Sequence, residues 1–419
     1  MSDLNKERRW MNSRVMGLAA ILAVALVARM LYAHHTGQVL SWHDERVYDD
    51  LAWNVAQGHG YSVTEADGAL RLTMCRPPVQ GFALALVYLL FGHNVLAAKL
   101  FLAALSALTC VIAYLVAEQA SGKVLAGLLA ALGVAIYPAY IYCSATFYPV
   151  TLLTFLLGLS FLFMLRAKNG RYPAAYSAAA GLSLGLFSLT ATYELVAVPL
   201  AALWILGRRD QWRRTIVPAA VLMFAAALPV APWVARNYVL FRQPVISANF
   251  GFNLWEGNIQ GRIGRYGRFY INPSYHLPKL GAKTEPEIDA AFRAVAITAI
   301  KREPGRFARL VLGKFIVFWD SYPKNPKTAG RRPPGMSSQL LELYAWGVYV
   351  LALAGLLRLP RLRGFYALTA IYLLPTLLAA LLTVCTPRYR YPLDILLISA
   401  AACALTLIPR RLRSLKVES

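Results

Sequence analysis

Acidic side chains are scarce in this chain: 20 Asp and Glu stand against 43 Lys and Arg, and charged residues of all kinds make up only 15% of 419 positions. Set against 58% hydrophobic residues and a mean hydropathy of +0.49, so little charge excludes a soluble domain, which has no interior large enough to hide that much apolar surface. Cysteine is scarce too. Cys75, Cys110, Cys143, Cys385 and Cys403 form no CxxC pair and show no metal-ligand spacing. Cys110 and Cys403 fall inside apolar runs as packing residues, and a disulfide among the other three is left open. There is no P-loop, no HExxH and no GxSxG, so the signatures of three common catalytic designs are missing. Low-complexity tracts are lacking, and so is an evident inverted repeat of the kind many transporters carry. His34, His35, His43 and His59 have no spacing that argues for a metal and read as solvated.

What is there is a series of apolar runs, several of which reach the roughly 17–25 residues that cross a bilayer. Membrane spans are expected at 15–33, 94–117, 123–140, 148–166, 172–190, 192–207, 213–234, 340–357, 365–385 and 391–409. Pro78–Phe91 is apolar but too short to cross comfortably and reads as a helix at the outer interface. The expected fold is an all-α polytopic membrane protein of about ten transmembrane helices with juxtamembrane helices on its outer face. It divides into a transmembrane module at 1–234 with a first external loop at 34–93, a second external loop at 235–339 with helices at 285–303 and 305–320, and C-terminal spans within 340–419. Lys6, Arg8, Arg9 and Arg14 before the first run imitate a signal peptide. The lack of a clear small-residue cleavage site favours an uncleaved first helix.

The formal charge of +23 has an orderly distribution. With the N-terminus inside, Lys6–Arg14, Arg166–Arg171, Arg208–Arg214, Arg358–Arg363 and Arg410–Lys416 all fall on the cytoplasmic side, as the positive-inside bias requires. Counting 78–91 as a full span would move three of these clusters and the C-terminal tail outside. The positive charge therefore meets anionic lipid, and nucleic acid is not an expected partner.

The most informative polar segment is Ser41-Trp42-His43-Asp44-Glu45-Arg46-Val47-Tyr48-Asp49-Asp50, just past the first span. Carboxylates so close to hydrocarbon are costly unless solvated or paired. Asp44 and Glu45 are the catalytic candidates: a partly desolvated carboxylate there can accept a hydroxyl proton. The plainer reading makes them the entry cap of an amphipathic helix through Val47, Leu51 and Val55. Asp49 and Asp50 read as facing water. Arg76 opens the interfacial helix, Arg236 follows a span and Arg388 precedes one; at such places arginine either clamps a phosphate bidentately or simply snorkels to interfacial water. Glu194 follows a predicted helix break at Thr190–Tyr193 and is expected to point inward, since a lipid-facing carboxylate is very unfavourable. The stretch Asn249-Phe250-Gly251-Phe252-Asn253-Leu254-Trp255-Glu256-Gly257-Asn258, continuing to Arg262, Arg265, Tyr266 and Arg268, carries amides and aromatics suited to sugar hydroxyls and ring faces.

These marks in this order resemble the integral-membrane, polyprenyl-phosphate-sugar-dependent glycosyltransferases of the GT-C class. The likeness is greatest to the bacterial branch of the protein O-mannosyltransferase superfamily (glycosyltransferase family 39-like), which includes aminoarabinose and galacturonic acid transferases. The matching marks are Asp44-Glu45 with Tyr48 and Gly58-x-Gly60, Arg76-Pro77-Pro78 with Phe91-Gly92, Pro232-Trp233-x-x-Arg236-Asn237-Tyr238, Gly257-Asn258, Pro304-x-x-Phe307 before Lys314, and Arg388-Tyr389-x-x-Pro392.

The resemblance implies a GT-C fold and an inverting transfer of sugar from a polyprenyl phosphate to an acceptor hydroxyl on a glycan, lipid A or a protein, at the periplasmic face of a bacterial inner membrane, with both termini cytoplasmic. It implies Tyr48, Arg76, Glu194, Arg236, Asn237, Asn258, Arg388 and Tyr389 as substrate-binding residues, with Arg236 and Arg388 expected to hold the leaving phosphate. No metal-binding residue is named, and the need for a divalent ion is left open. Two departures stand out: the turn Ser144–Pro149 lacks the acidic residue that relatives often carry, and Leu189-Thr190-Ala191 replaces a Leu-Thr-Arg stretch. Glu194 or Glu65 is the expected substitute for that missing acid. The rival readings are a polyprenyl-lipid transporter or flippase and a non-catalytic assembly subunit on the same fold.

Overall fold

The computed structural model describes residues 2–207, 212–259, 284–321 and 338–415. Among the described residues helix dominates, and six helices are long and apolar enough to cross a membrane: Arg14–Thr36, Val95–Ser121, Val150–Lys168, Arg213–Phe241, Gln339–Arg358 and Pro360–Leu382. The chain is a multi-pass, all-α membrane protein. Its helices are α1 (Ser2–Thr36), α2 (His43–Ala56), α3 (Pro78–Phe91), α4 (Val95–Ser121), α5 (Val124–Ile136), α6 (Pro138–Cys143), α7 (Val150–Asn169), α8 (Pro173–Ser188), α9 (Ala197–Leu206), α10 (Trp212–Phe241), α11 (Phe250–Asn258), α12 (Glu285–Arg302) and α13 (Pro304–Phe318). Three more follow among the described residues: α14 (Ser338–Arg358), α15 (Arg363–Leu382) and α16 (Tyr391–Leu415). Among the described residues the only sheet is an antiparallel hairpin of β1 (Ser62–Thr64) and β2 (Leu70–Leu72), with Val63 opposite Arg71.

Local chemistry explains the ends. The Asn94 side chain caps α4 by accepting the Ala97 N–H at 3.0 Å, and Gly122 closes it in the left-handed region at φ 67°. The expected span at 123–140 is instead broken: α5 stops at Ile136, before Pro138. Its orphan carbonyls are met by Arg29, which is fully buried in α1 and donates to Val134 O at 2.9 Å, Ala135 O at 3.0 Å and the Ser106 hydroxyl at 2.8 Å. The expected span at 192–207 likewise divides into a 3-10 turn at Thr192–Val196 and the short α9.

The membrane bundle packs α4 on α1, α5 and α7, α8 between α7 and α10, and α16 on α5 and α14. Between α8 and α10 the backbones nearly touch. A Cβ at Gly181 would lie 2.3 Å from Leu222 O, and one at Gly185 2.4 Å from Ala226 O, so only glycine permits this approach. A second, smaller core joins α2 to α3 through Tyr48, Leu51, Ala52, Leu84, Ala85 and Tyr88, and a third joins α11 to α12 through Leu254, Trp255, Phe292 and Ala296. These two cores hold the non-spanning helices around the site described next. Helices expected at 285–303 and 305–320 are α12 and α13, and α12 opens with a capping box of Thr284 and Glu287.

Candidate active site

A cavity of about 490 Å³ collects the N-terminal turn of α2, the segment before α3, the turn before α7, the break between α8 and α9, one face each of α11 and α12, and the connection from α15 to α16. Apart from the faces of α11 and α12, each contributing segment is a helix end or a break, where backbone groups and polar side chains are released from the apolar bundle.

Asp44, in the first turn of α2, projects into this cavity and pairs with Arg76 (Oδ1 to Nη2, 2.6 Å), with the two side chains 29% and 25% exposed. Pro77 and Pro78 follow Arg76; they set the start of α3 and hold the arginine just outside it. Arg76 Nε is buried and has no protein partner. Arg388, in the 3-10 turn Pro387–Tyr389, lies with its guanidinium 3.6 Å from the centre of the Tyr148 ring, a close cation–π stack. Burial by itself lowers both guanidinium pKa values. Asp44 beside Arg76, and Tyr148 with Asp44 beside Arg388, outweigh it, so both side chains stay cationic. Tyr48, 4% exposed, and Tyr389 also line the cavity. The structure thus brings Asp44, Tyr48, Arg76, Arg388 and Tyr389 together: one carboxylate, two guanidinium groups and two phenols around one space.

Glu45 turns the other way. It is buried, and its carboxylate accepts the N–H groups of Ser41 and Trp42, each at 2.9 Å, and of Phe147 at 3.1 Å. Burial pushes its pKa up, and the Trp42 and Phe147 N–H groups and Lys99 pull it back. The adjacent acids therefore divide the labour: Asp44 faces the cavity, while Glu45 fixes the entry of α2 and ties it to the turn before α7. Asp49 and Asp50, expected to face water, are structural ties. Asp49 accepts from the Tyr88 hydroxyl and contacts His93 Nε2 at 3.0 Å; Asp50 accepts the Thr64 N–H at 2.7 Å.

Four expected substrate contacts sit elsewhere. Arg236 is not among the lining residues: it donates to Thr73 O and to Asn237 Oδ1, each at 2.8 Å, and to Tyr61 O at 3.2 Å. Asn237 donates to Val245 O and Ile246 O. Asn258 donates to Leu254 O and Leu382 O and accepts from Lys314. These donors are spent on carbonyls of the protein, holding the non-spanning segments onto the bundle. Glu194 points inward as expected, 1% exposed and hydrogen-bonded to Thr376. One of its oxygens has no partner, and the cavity is lined by its neighbours Thr192 and Tyr193 instead. Glu65, the other expected substitute acid, is paired with Arg71 at 2.5 Å and is likewise not among the lining residues. Arg262, Arg265, Tyr266 and Arg268 lie outside the described residues.

The acids that do share the cavity with Asp44 are Glu256, Glu285 and Asp289. Glu256 lies in the amide- and aromatic-rich stretch singled out in the sequence, whereas Glu285 and Asp289 carried no signal beyond the acidic start of a helix. Asp289 accepts the Gly251 N–H at 2.7 Å, and Glu285 accepts from Arg71, from Thr73 Oγ1 at 2.6 Å and from Met74 N at 2.8 Å. Among the described residues no three His, Cys, Asp or Glu side chains converge as metal ligands, and all five cysteines are free.

Residues 75–235 match the sequence profile of the dolichyl-phosphate-mannose-protein mannosyltransferase family, a stretch that begins beside Arg76 and ends beside Arg236. No curated protein matches the chain. Among solved structures it is similar to the oligosaccharyltransferase AglB of Archaeoglobus fulgidus in complex with an inhibitory peptide and a dolichol-phosphate, with 15% identity and a TM-score of 0.57 over 98% of this chain and 52% of that one. The apo form of the A. fulgidus enzyme gives a TM-score of 0.60 and 16% identity over 96% and 51%. ArnT of Cupriavidus metallidurans bound to undecaprenyl phosphate gives 0.45 and 15% over 94% and 78%. The chain spans about half the length of the oligosaccharyltransferases it matches. The profile match covers residues 75–235, and the fold is shared with the solved oligosaccharyltransferases over nearly the whole of this chain.

Proposed function

We propose that the protein is an inverting glycosyltransferase that takes a sugar from a polyprenyl-phosphate donor and attaches it to an acceptor hydroxyl. The observation that carries this reading is the convergence of Asp44, Arg76 and Arg388 on one cavity formed at helix ends. A polyprenyl tail would lie along the apolar helices and deliver its phosphate to such a place. The cavity's position at helix ends supports transfer over transport, which calls for a polar site deep between helices.

The geometry supports the following chemistry. Asp44 Oδ1 is committed to Arg76, and Oδ2 is the atom that accepts the acceptor's proton. The acceptor oxygen bonds to the anomeric carbon as the carbon–oxygen bond to the phosphate breaks, leaving polyprenyl phosphate. Negative charge grows on that phosphate while the sugar becomes oxocarbenium-like, and fixed guanidinium groups are worth most where charge develops. Arg388, oriented by Tyr148, and Arg76, with its unpartnered Nε, fill that role in place of the Arg236 expected from sequence. Asn249 and Asn253, at the start of α11, line the cavity with side-chain amides that suit the hydroxyls of a bound sugar. The charge distribution supports placing this face in the periplasm of a bacterial inner membrane, with both termini cytoplasmic.

The test is transfer of radiolabelled sugar from a panel of synthetic polyprenyl-phosphate sugars by purified protein, with membrane extract as the acceptor pool. Label entering an acceptor with wild type and not with Asp44→Asn is the expected result. No transfer from any donor by folded protein would overturn the reading.

A further inference from the structure

A second cavity, of about 300 Å³, opens on the opposite side of the N-terminal turn of α2, lined by Tyr32, Thr36, Trp42, Glu45, Lys99 and Tyr142 with His35 and Val39. Nothing in the transfer chemistry uses it. Its centre is Lys99, on α4 and 1% exposed. The Lys99 ammonium donates to Val39 O at 2.7 Å and to Thr36 Oγ1 at 3.2 Å. Both partners are neutral oxygens, and an ammonium has three N–H donors, so one remains for the cavity. The carboxylate that acts on it, Glu45, has its oxygens already taken by three backbone N–H groups. A buried ammonium whose direct hydrogen-bond partners are neutral, and whose nearby carboxylate is bonded to backbone N–H groups, keeps a donor that an anionic ligand can engage. A second donor stands ready: Tyr142 accepts from Trp42 Nε1 at 3.0 Å, which leaves its own hydroxyl proton to give. Beside the cavity, Leu31 and Val39 are 66% and 65% exposed, an apolar flank suited to an acyl chain.

We propose that this second cavity binds a phosphate-type oxyanion through Lys99 and Tyr142, separately from the transfer site. The chemistry is that of a phosphate monoester or diester, supplied by a lipid headgroup or by a soluble organic phosphate, and the apolar flank favours the lipid. The site does not depend on the transfer reaction.

Native mass spectrometry of the full-length protein in detergent, titrated with phosphatidylglycerol and separately with glycerol 3-phosphate, tests it. Two variants are used: Lys99→Met, and His35→Glu, which sets a negative charge on an exposed wall residue without disturbing the interior. One phosphatidylglycerol is expected to bind wild type and to lose roughly tenfold or more in affinity in both variants, with other bound lipids unchanged. Binding of glycerol 3-phosphate alone, with the same dependence on both variants, also supports the site and identifies a soluble source. If Lys99→Met does not fold, His35→Glu decides. Equal binding of both ligands to wild type and folded His35→Glu would overturn the proposal.

Discussion

Asp44→Asn separates chemistry from structure in a way few substitutions here can. Asparagine keeps the shape of the side chain, and its carbonyl oxygen still accepts Arg76 Nη2, now seen at 2.6 Å from Asp44 Oδ1. What it loses is the charge and the capacity to take a proton. The ion pair is about a quarter exposed on each side, so solvent screens it and its contribution to stability is about 0.2–1 kcal/mol. The melting temperature should therefore fall by no more than about 4 °C. A positioned general base contributes about 10²–10⁴ in rate, or roughly 3–5 kcal/mol of barrier. Initial rates of labelled-sugar transfer should drop at least a hundredfold while the thermal melt is nearly unchanged. Turnover within about tenfold of wild type would remove Asp44 from the base role. A large loss of melting temperature would instead show that the pair holds the fold.

The remaining expectations concern the neighbours of that pair. Glu45→Ala strands three backbone N–H groups and should cost about 2–4 kcal/mol in thermal or denaturant unfolding, with Glu45→Gln recovering part of it. Arg388→Met should lower kcat and raise the KM for donor, and leave the KM for acceptor unchanged. Arg388→Lys should restore little, because an ammonium cannot reproduce a planar guanidinium stacked at 3.6 Å on Tyr148; equal donor KM values across the three would refute the phosphate role. Gly257→Ala puts a Cβ 2.2 Å from Thr383 O, and should destabilise the α11 wall by about 1–3 kcal/mol, read as faster proteolysis of that segment. Lys314 has its pKa lowered to about 8 by burial, so the unfolded chain holds the proton more tightly; between pH 8 and the ordinary lysine range stability should rise with pH, and Lys314→Met should flatten that rise.

Several features of the site were open to reading in the sequence because their cause is local. Asp44 and Arg76 lie where a span ends and a proline-led helix starts, and both positions are forced to the edge of the apolar region. Arg388 follows the same logic. Arg236, Asn237 and Asn258 carry the same kind of signal, yet their donors are consumed by Thr73, Tyr61, Val245, Ile246 and Leu382 carbonyls. A sequence shows that a donor sits at a span end. It does not show whether a distant loop has already brought it an acceptor. The acids Glu285 and Asp289 were illegible for the converse reason: they reach the cavity only because α12 packs across α11.

The sequence by itself determined the class of protein, most of its helices and the kind of place, at helix ends, where polar chemistry collects, because hydrocarbon imposes a one-dimensional rule on every stretch long enough to cross it. Only the tertiary structure decided which polar groups are free to act. It turned Asp44 toward one cavity and Glu45 toward another, stacked Arg388 on Tyr148 and spent Arg236 on the backbone. Hydrogen-bond capacity is finite, and how it is divided among neighbours depends on contacts between residues far apart in the chain.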